Sequence, residues 1–160
     1  MIGTKFYKEN LDLNKYSAAA EWCNENNATI EDKGEYYEVV EIPAPSLEEV
    51  KTTKISELKS IRDTKEVEPV QTDKGIFDYD DKSRDRLAIA RQALTDAGGG
   101  EIVWTTADNQ RVSMTIADFA AINGAAAVRS NALHVKYNEL KESVKEAKTA
   151  EEVNAIQWTD

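Results

Sequence analysis

At 160 residues, with 41% hydrophobic and 31% charged side chains, the chain has the size of one ordinary domain or a domain plus a small appendage, and its composition excludes wholesale disorder. The formal net charge of −10 is spread evenly, with 9 basic and 14 acidic side chains over residues 1–66 and 11 and 16 beyond, so no basic patch is present to neutralise nucleic-acid phosphates or to dock on an anionic membrane. A single cysteine, Cys23, excludes an intrachain disulfide, and no run approaches the roughly 18 apolar residues of a membrane span.

The opening residues Met1 to Phe6 lack the apolar run of a signal peptide, so the chain is expected to stay in a cytoplasm unless it leaves as part of a particle. Residues 1–45 read as a small α/β-hairpin module. Phe6-Tyr7 makes a short strand, and a helix is expected over Tyr16 to Asn26 with Asn14 as its cap. Tyr16, Ala19, Ala20 and Cys23 share one face of that helix, and Trp22 flanks it. Thr29-Ile30 and Tyr36 to Ile42 follow as strands around Gly34, where glycine permits a tight turn. Such a module buries too little surface to be stable unaided, so docking is expected. Tyr36 and Tyr37 point to opposite sheet faces, which makes them, with Trp22, the candidate partner contacts, and one of the two tyrosines must lie away from the module's own core.

Pro43-Ala44-Pro45 is an extended spacer. Ser46-Leu47-Glu48-Glu49 then matches a capping box and opens a linker helix, assigned to residues 46–66, with Leu47, Val50, Leu58 and Ile61 on its apolar side. Residues 67–160 read as a carboxyl-terminal α+β domain. Gly75 to Tyr79 is expected to add a third strand to a central hairpin. Asp80 or Asp81 caps a helix over Lys82 to Thr95 whose buried side is Leu87, Ala90, Arg91 and Leu94, and Gly98-Gly99-Gly100 ends it as a flexible hinge.

The hairpin itself alternates at Ile102, Trp104 and Thr106, turns through Ala107 to Gln110, and returns through Val112 and Met114. Thr115, with Asp118 three residues on, carries the hydroxyl and carboxylate that start a helix. In the long helical run that follows, Phe119, Ala126, Leu133, Leu140 and Ala147 repeat every seventh position, a stripe suited to coiled-coil-like packing. Either Gly124 or Asn131 bends this run, or it projects and pairs as a homo-oligomer. Thr149 to Glu152 is a second capping box, and it returns Val153, Ile156 and Trp158 to the core. Trp104, Thr115, Phe119 and Trp158 are accordingly structural candidates.

No catalytic, metal or cofactor set emerges. His134 stands alone without a cysteine or a carboxylate one helical turn away, and Cys23 lies on an apolar face. The acidic run Asp78 to Asp85 departs from a calcium loop, because Lys82 occupies a ligand position and no glycine follows. Gly98 to Gly100 leads into a strand, whereas a phosphate-cradling loop leads into a helix.

Phe77 to Arg84 leading into a helix, then Val103-Trp104-Thr105-Thr106-Ala107-Asp108-Asn109 and Val112 to Thr115, make the stretch from Lys54 to Trp158 resemble the domain of unknown function 4376 family. Tyr16 to Asn24, Tyr36-Tyr37-Glu38 and the proline spacer look like the lead module of small phage tail proteins. The resemblance implies a tail-associated bacteriophage or prophage setting and supplies no catalytic residues. The expectation is a non-enzymatic structural or attachment protein of the virion tail, acting on tail or tail-fibre proteins. The alternatives are a fibre assembly chaperone confined to the host cytoplasm and, more remotely, an enzyme.

Overall fold

The computed structural model describes residues 1–159, and the chain divides into two compact units, residues 1–46 and the residues from Leu47 onward. It is an α+β architecture: small antiparallel sheets of two or three strands on helices, with one long helix toward the carboxyl end.

In the first unit β1 (Lys5–Tyr7), α1 (Leu13–Glu25), β2 (Ala28–Asp32) and β3 (Tyr36–Glu41) form a sheet of order β1-β3-β2 with one helix. Tyr7 pairs with Tyr36 and Phe6 with Tyr37 across the β1/β3 ladder. The helix begins earlier than its apolar face suggests, because Asp12, not Asn14, is the cap: its carboxylate accepts from the amides of Asn14 at 3.1 Å and Lys15 at 3.2 Å. The β2–β3 turn is held at Gly34, φ +87°, whose amide donates to Asp32 at 2.8 Å. Phe6, Ala19, Cys23, Ala28 and Val39 make the core, with Tyr16, Trp22 and Tyr37 packed against it.

The second unit starts with α2 (Leu47–Glu66). The hairpin β4 (Val70–Thr72) and β5 (Gly75–Phe77), α3 (Asp81–Asp96), the hairpin β6 (Ile102–Thr105) and β7 (Arg111–Met114), α4 (Ile116–Glu146) and α5 (Ala150–Ala155) follow. Gly75 to Phe77 is thus a strand, but it does not extend the later hairpin. It pairs with its own neighbour, Val70 opposite Phe77 and Thr72 opposite Gly75, and meets the other hairpin through a main-chain hydrogen bond from Ala107 to Ile76 at 2.8 Å. A short local turn reaches its partner with less loop entropy than a strand 25 residues away.

Asp80 caps α3, accepting from the Ser83 amide at 2.7 Å. The buried side of α3 is Ser83, Leu87, Ala90 and Leu94, and Arg91 is exposed, its charge favouring water over the apolar face. The glycines after α3 form a defined cap: the Gly98 amide donates to Thr95 and the Gly99 amide to Leu94, with Gly98 at φ +76°, the Schellman arrangement.

The long helix α4 runs unbroken through Gly124 and Asn131 for 31 residues, about 46 Å at 1.5 Å per residue. It spans two cores. Phe119, Ile122 and Ala126 enter the first, with Phe77, Leu87 and Met114, and Tyr137, Val144 and Ala147 enter the second, with Leu58 and Val153. Of the seven-residue stripe, Phe119, Ala126 and Ala147 are buried and Leu140 packs on the second core, while Leu133 is half-buried outside both. Helix α2 packs antiparallel along α4 and supplies the facing helix, with Lys51 reaching Lys145 at one end and Glu66 meeting Ser130 at the other. The helix assigned as a linker over residues 46–66 is in this way an integral part of the second unit.

Candidate functional site

Strand β3 alternates, so its two adjacent tyrosines part company. Tyr37 turns to the core, edge-on to Tyr16 with centroids 5.2 Å apart, and Tyr16 in turn meets Phe6 at 5.6 Å. Tyr36 lies on the opposite face, 5.6 Å from the Tyr7 ring across the ladder. Lys5 Nζ sits 4.5 Å from the Tyr36 centroid and donates to its hydroxyl at 3.4 Å, which raises the lysine pKa. Tyr7 is 49% exposed. The sheet thus carries an aromatic pair with a cation on the face opposite the core, Tyr7 exposed and Tyr36 half-buried, whereas Trp22 is half-buried against the core itself.

The four structural candidates fall at joints of the second unit. Trp104 on β6 packs edge-on against Phe119 on α4, with centroids 5.3 Å apart, and Phe119 is fully buried. Thr115 and Asp118 form a complete capping box: the Thr115 amide donates to Asp118 Oδ2 at 2.8 Å and the Asp118 amide to Thr115 Oγ1 at 3.4 Å. The amide and then the hydroxyl of Thr115 hold the Asp118 carboxyl below its usual range. Trp158 packs on the second core, with Lys136 Nζ 5.4 Å from its ring centroid. At α5 the second capping box is altered: Thr149 accepts from the Glu152 amide, but Glu152 accepts from Lys148 rather than from Thr149.

Sequence reasoning missed a polar seam between α2 and α4. His134, solitary in the sequence, has its Nε2 3.5 Å from the Glu66 carboxylate, which also accepts from the Ser130 hydroxyl. Ser130 and His134 are four residues apart, hence on one side of α4, a spacing that was legible; the acid more than 60 positions upstream was not. Beside them Tyr79 donates to Asn123 at 3.5 Å, with Arg84 and Arg129 5.9 Å and 5.7 Å from its ring centroid. A shallow cavity of about 210 Å³ opens between Glu66, Tyr79, Arg84, Asn123 and Ser130.

The order of groups there decides its chemistry. A nucleophilic serine needs the imidazole between itself and the acid, so that the ring can take the hydroxyl proton. Here the carboxylate stands between Ser130 and His134, and the hydroxyl is committed to it. The arrangement ties two helices together.

The acidic run is spent locally. Asp80 caps α3, its carboxyl lowered by the Ser83 amide, and Asp81 pairs with Arg84. Asp78 lines a separate cavity of about 240 Å³ with Ser83, Arg86 and Trp104. Among the described residues no group of three or more His, Cys, Asp or Glu side chains is placed to hold a metal ion, and Cys23 is buried in the core of the first unit. Among the same described residues no helix is long and apolar enough to cross a membrane.

Two hairpins and three further helices on a long spine, preceded by a small sheet-and-helix unit, define a two-unit α+β protein. The chain belongs to the family described as Domain of unknown function (DUF4376), whose model matches residues 49–157, the span from α2 to just past α5. No curated protein and no solved structure matches it.

Proposed function

We propose that the protein is a non-enzymatic, tail-associated structural or attachment part of a bacteriophage, working through protein–protein contacts with tail or tail-fibre proteins. The setting comes from the resemblance of the amino-terminal pattern and spacer to small phage tail proteins. The observation that carries the contact reading is the uncovered sheet face of the first unit. There Tyr7 and Tyr36 stand side by side under Lys5, an aromatic and cationic surface of the kind that anchors interfaces, on a unit whose own core is only five buried side chains.

Peptide mass spectrometry of purified virions from the phage or prophage encoding the chain tests this. Peptides of the protein in the particle, lost when Tyr36→Ser is introduced, are the expected result. Absence from virions, with co-purification on fibre subunits in the infected cell, overturns the structural role in favour of a fibre assembly chaperone.

A further inference from the structure

The inward side of α4 is apolar because it faces two cores; the outward side of its first five turns is uncharged as well. Between Asp118 and Lys136 the helix carries one formally charged side chain, Arg129, and that side chain is turned in to the carbonyls of Glu66 and Pro69. What faces out is Ala121, Gly124, Ala125, Val128, Ala132 and Val135, spaced three and four apart and all exposed, Val128 at 73% and Val135 at 50%. A helix apolar on both sides is ordinarily covered on both. On a chain with net charge −10, such a strip is also where a like-charged molecule meets least repulsion.

The two ends of the strip differ in sign: at one end stands Asp118, held by Thr115 with Lys74 3.9 Å away, and at the other Lys136, which also lies over the Trp158 ring. Asp118 and Lys136 are 18 residues apart, about five full turns, so they stand on the same flank of the helix. A two-fold axis crossing the helix at the level of Ala127 places Asp118 of each copy beside Lys136 of the other. It seats Val135 in the gap between Ala117 and Ala121 of the second copy, and Val128 beside Gly124 and Ala125, bulky side chains over small ones. A parallel pair would instead leave like charges at the same level on opposite flanks and bring no Asp118 to a Lys136.

We infer that the protein self-associates through the outward face of α4, as an antiparallel two-fold pair of α4 helices centred near Ala127. This surface lies opposite the seven-residue stripe, which the molecule uses internally, and the inference does not depend on a phage setting.

Sedimentation equilibrium of the full chain over a wide concentration range tests it. The mass is expected to rise toward twice that of the monomer. Val128→Asp is expected to hold the monomer mass throughout, with unchanged helical circular dichroism and melting temperature because Val128 is exposed. Orientation is read by oxidative cross-linking: Val128→Cys, next to the axis, links copies readily, Val135→Cys does not link to itself, and a mixture of Val135→Cys with Ala121→Cys does. A wild type that stays monomeric at every concentration overturns the inference, even if another protein covers the face. So does a Val128→Asp variant that pairs like wild type, or a Val135→Cys variant that links to itself as well as Val128→Cys does.

Discussion

Arg129, in the middle of α4, donates through Nη2 at 2.9 Å to the main-chain carbonyl of Glu66, the last residue of α2, and through Nη1 at 3.0 Å to that of Pro69. The reverse contact exists at the other end of the pair, where Lys51 in the first turns of α2 donates at 2.7 Å to the carbonyl of Lys145, next to the last residue of α4. Each helix therefore brings a cation to the carboxyl end of the other, where unsatisfied carbonyls and the negative end of the dipole need one. Only an antiparallel pair in this register satisfies both ends at once, so these two side chains fix how α2 lies along α4.

Removing Arg129 leaves two carbonyls without their donors. Arg129→Met, which keeps the aliphatic stem, is expected to lower unfolding stability by about 1–3 kcal/mol, and Lys51→Met, at a more solvated end, by about 0.5–1 kcal/mol. Urea unfolding with an unchanged m-value measures both, and equal effects at the two ends would show that solvation does not separate them.

Gly98 ends α3 at φ +76°, with nothing within 4 Å of where a Cβ would stand. Gly98→Ala therefore meets no clash and carries the cost of the left-handed backbone alone, about 1 kcal/mol. Gly75→Ala is expected to cost more, since its φ is +134° and its Cβ would come within 3.1 Å of the Thr106 methyl. Thermal melts of the two variants rank them, and the reverse order would mean that the Thr106 side chain moves aside freely.

Local chemistry was legible in the sequence and long-range geometry was not. Thr115 with Asp118 and Asp80 before α3 were readable because a cap is written in three or four adjacent residues. Asn14 reads as the cap that Asp12 in fact provides, since both side chains suit the position and the apolar face does not reveal where the first turn begins. Of the stripe from Phe119 to Ala147, Phe119, Ala126 and Ala147 are buried and Leu133 and Leu140 half-buried, but periodicity says only that a face is covered, and the covering helix is α2 of the same chain. The seam of Glu66, Ser130 and His134 joins residues more than 60 positions apart, beyond the reach of spacing arguments.

Acid is expected to unfold the protein through carboxylates held ionised by hydrogen bonds. Asp12, Asp80 and Asp118 are lowered chiefly by backbone amides at helix starts, and Asp32 chiefly by the Lys8 ammonium 2.8 Å away. Each binds its proton less readily folded than unfolded. Its contribution is thus complete above the unfolded aspartate value of about 3.9 and is lost as pH falls through the lower folded values. Stability should be level near neutrality and fall below about pH 4. The double variant Asp80→Asn and Asp118→Asn keeps the cap acceptors without the charge and should flatten that fall; an unchanged acid limb would place the titrating groups elsewhere.

Tyr36 and Tyr37 offer a comparison between neighbours of identical chemistry. Tyr37 packs its ring on Tyr16 against the core, so Tyr37→Ala removes partly buried aromatic surface and is expected to cost about 2–3 kcal/mol, a large share of the stability of a unit this small. Tyr36 loses its contacts with Tyr7 and Lys5 on the uncovered face, and Tyr36→Ala is expected to cost about 1 kcal/mol or less. If the face serves a partner, the second variant keeps the folded near-ultraviolet spectrum while losing association with tail or fibre proteins. Equal destabilisation by the two substitutions would mean that Tyr36 serves the unit's own stability, and the contact role would have to move to another surface.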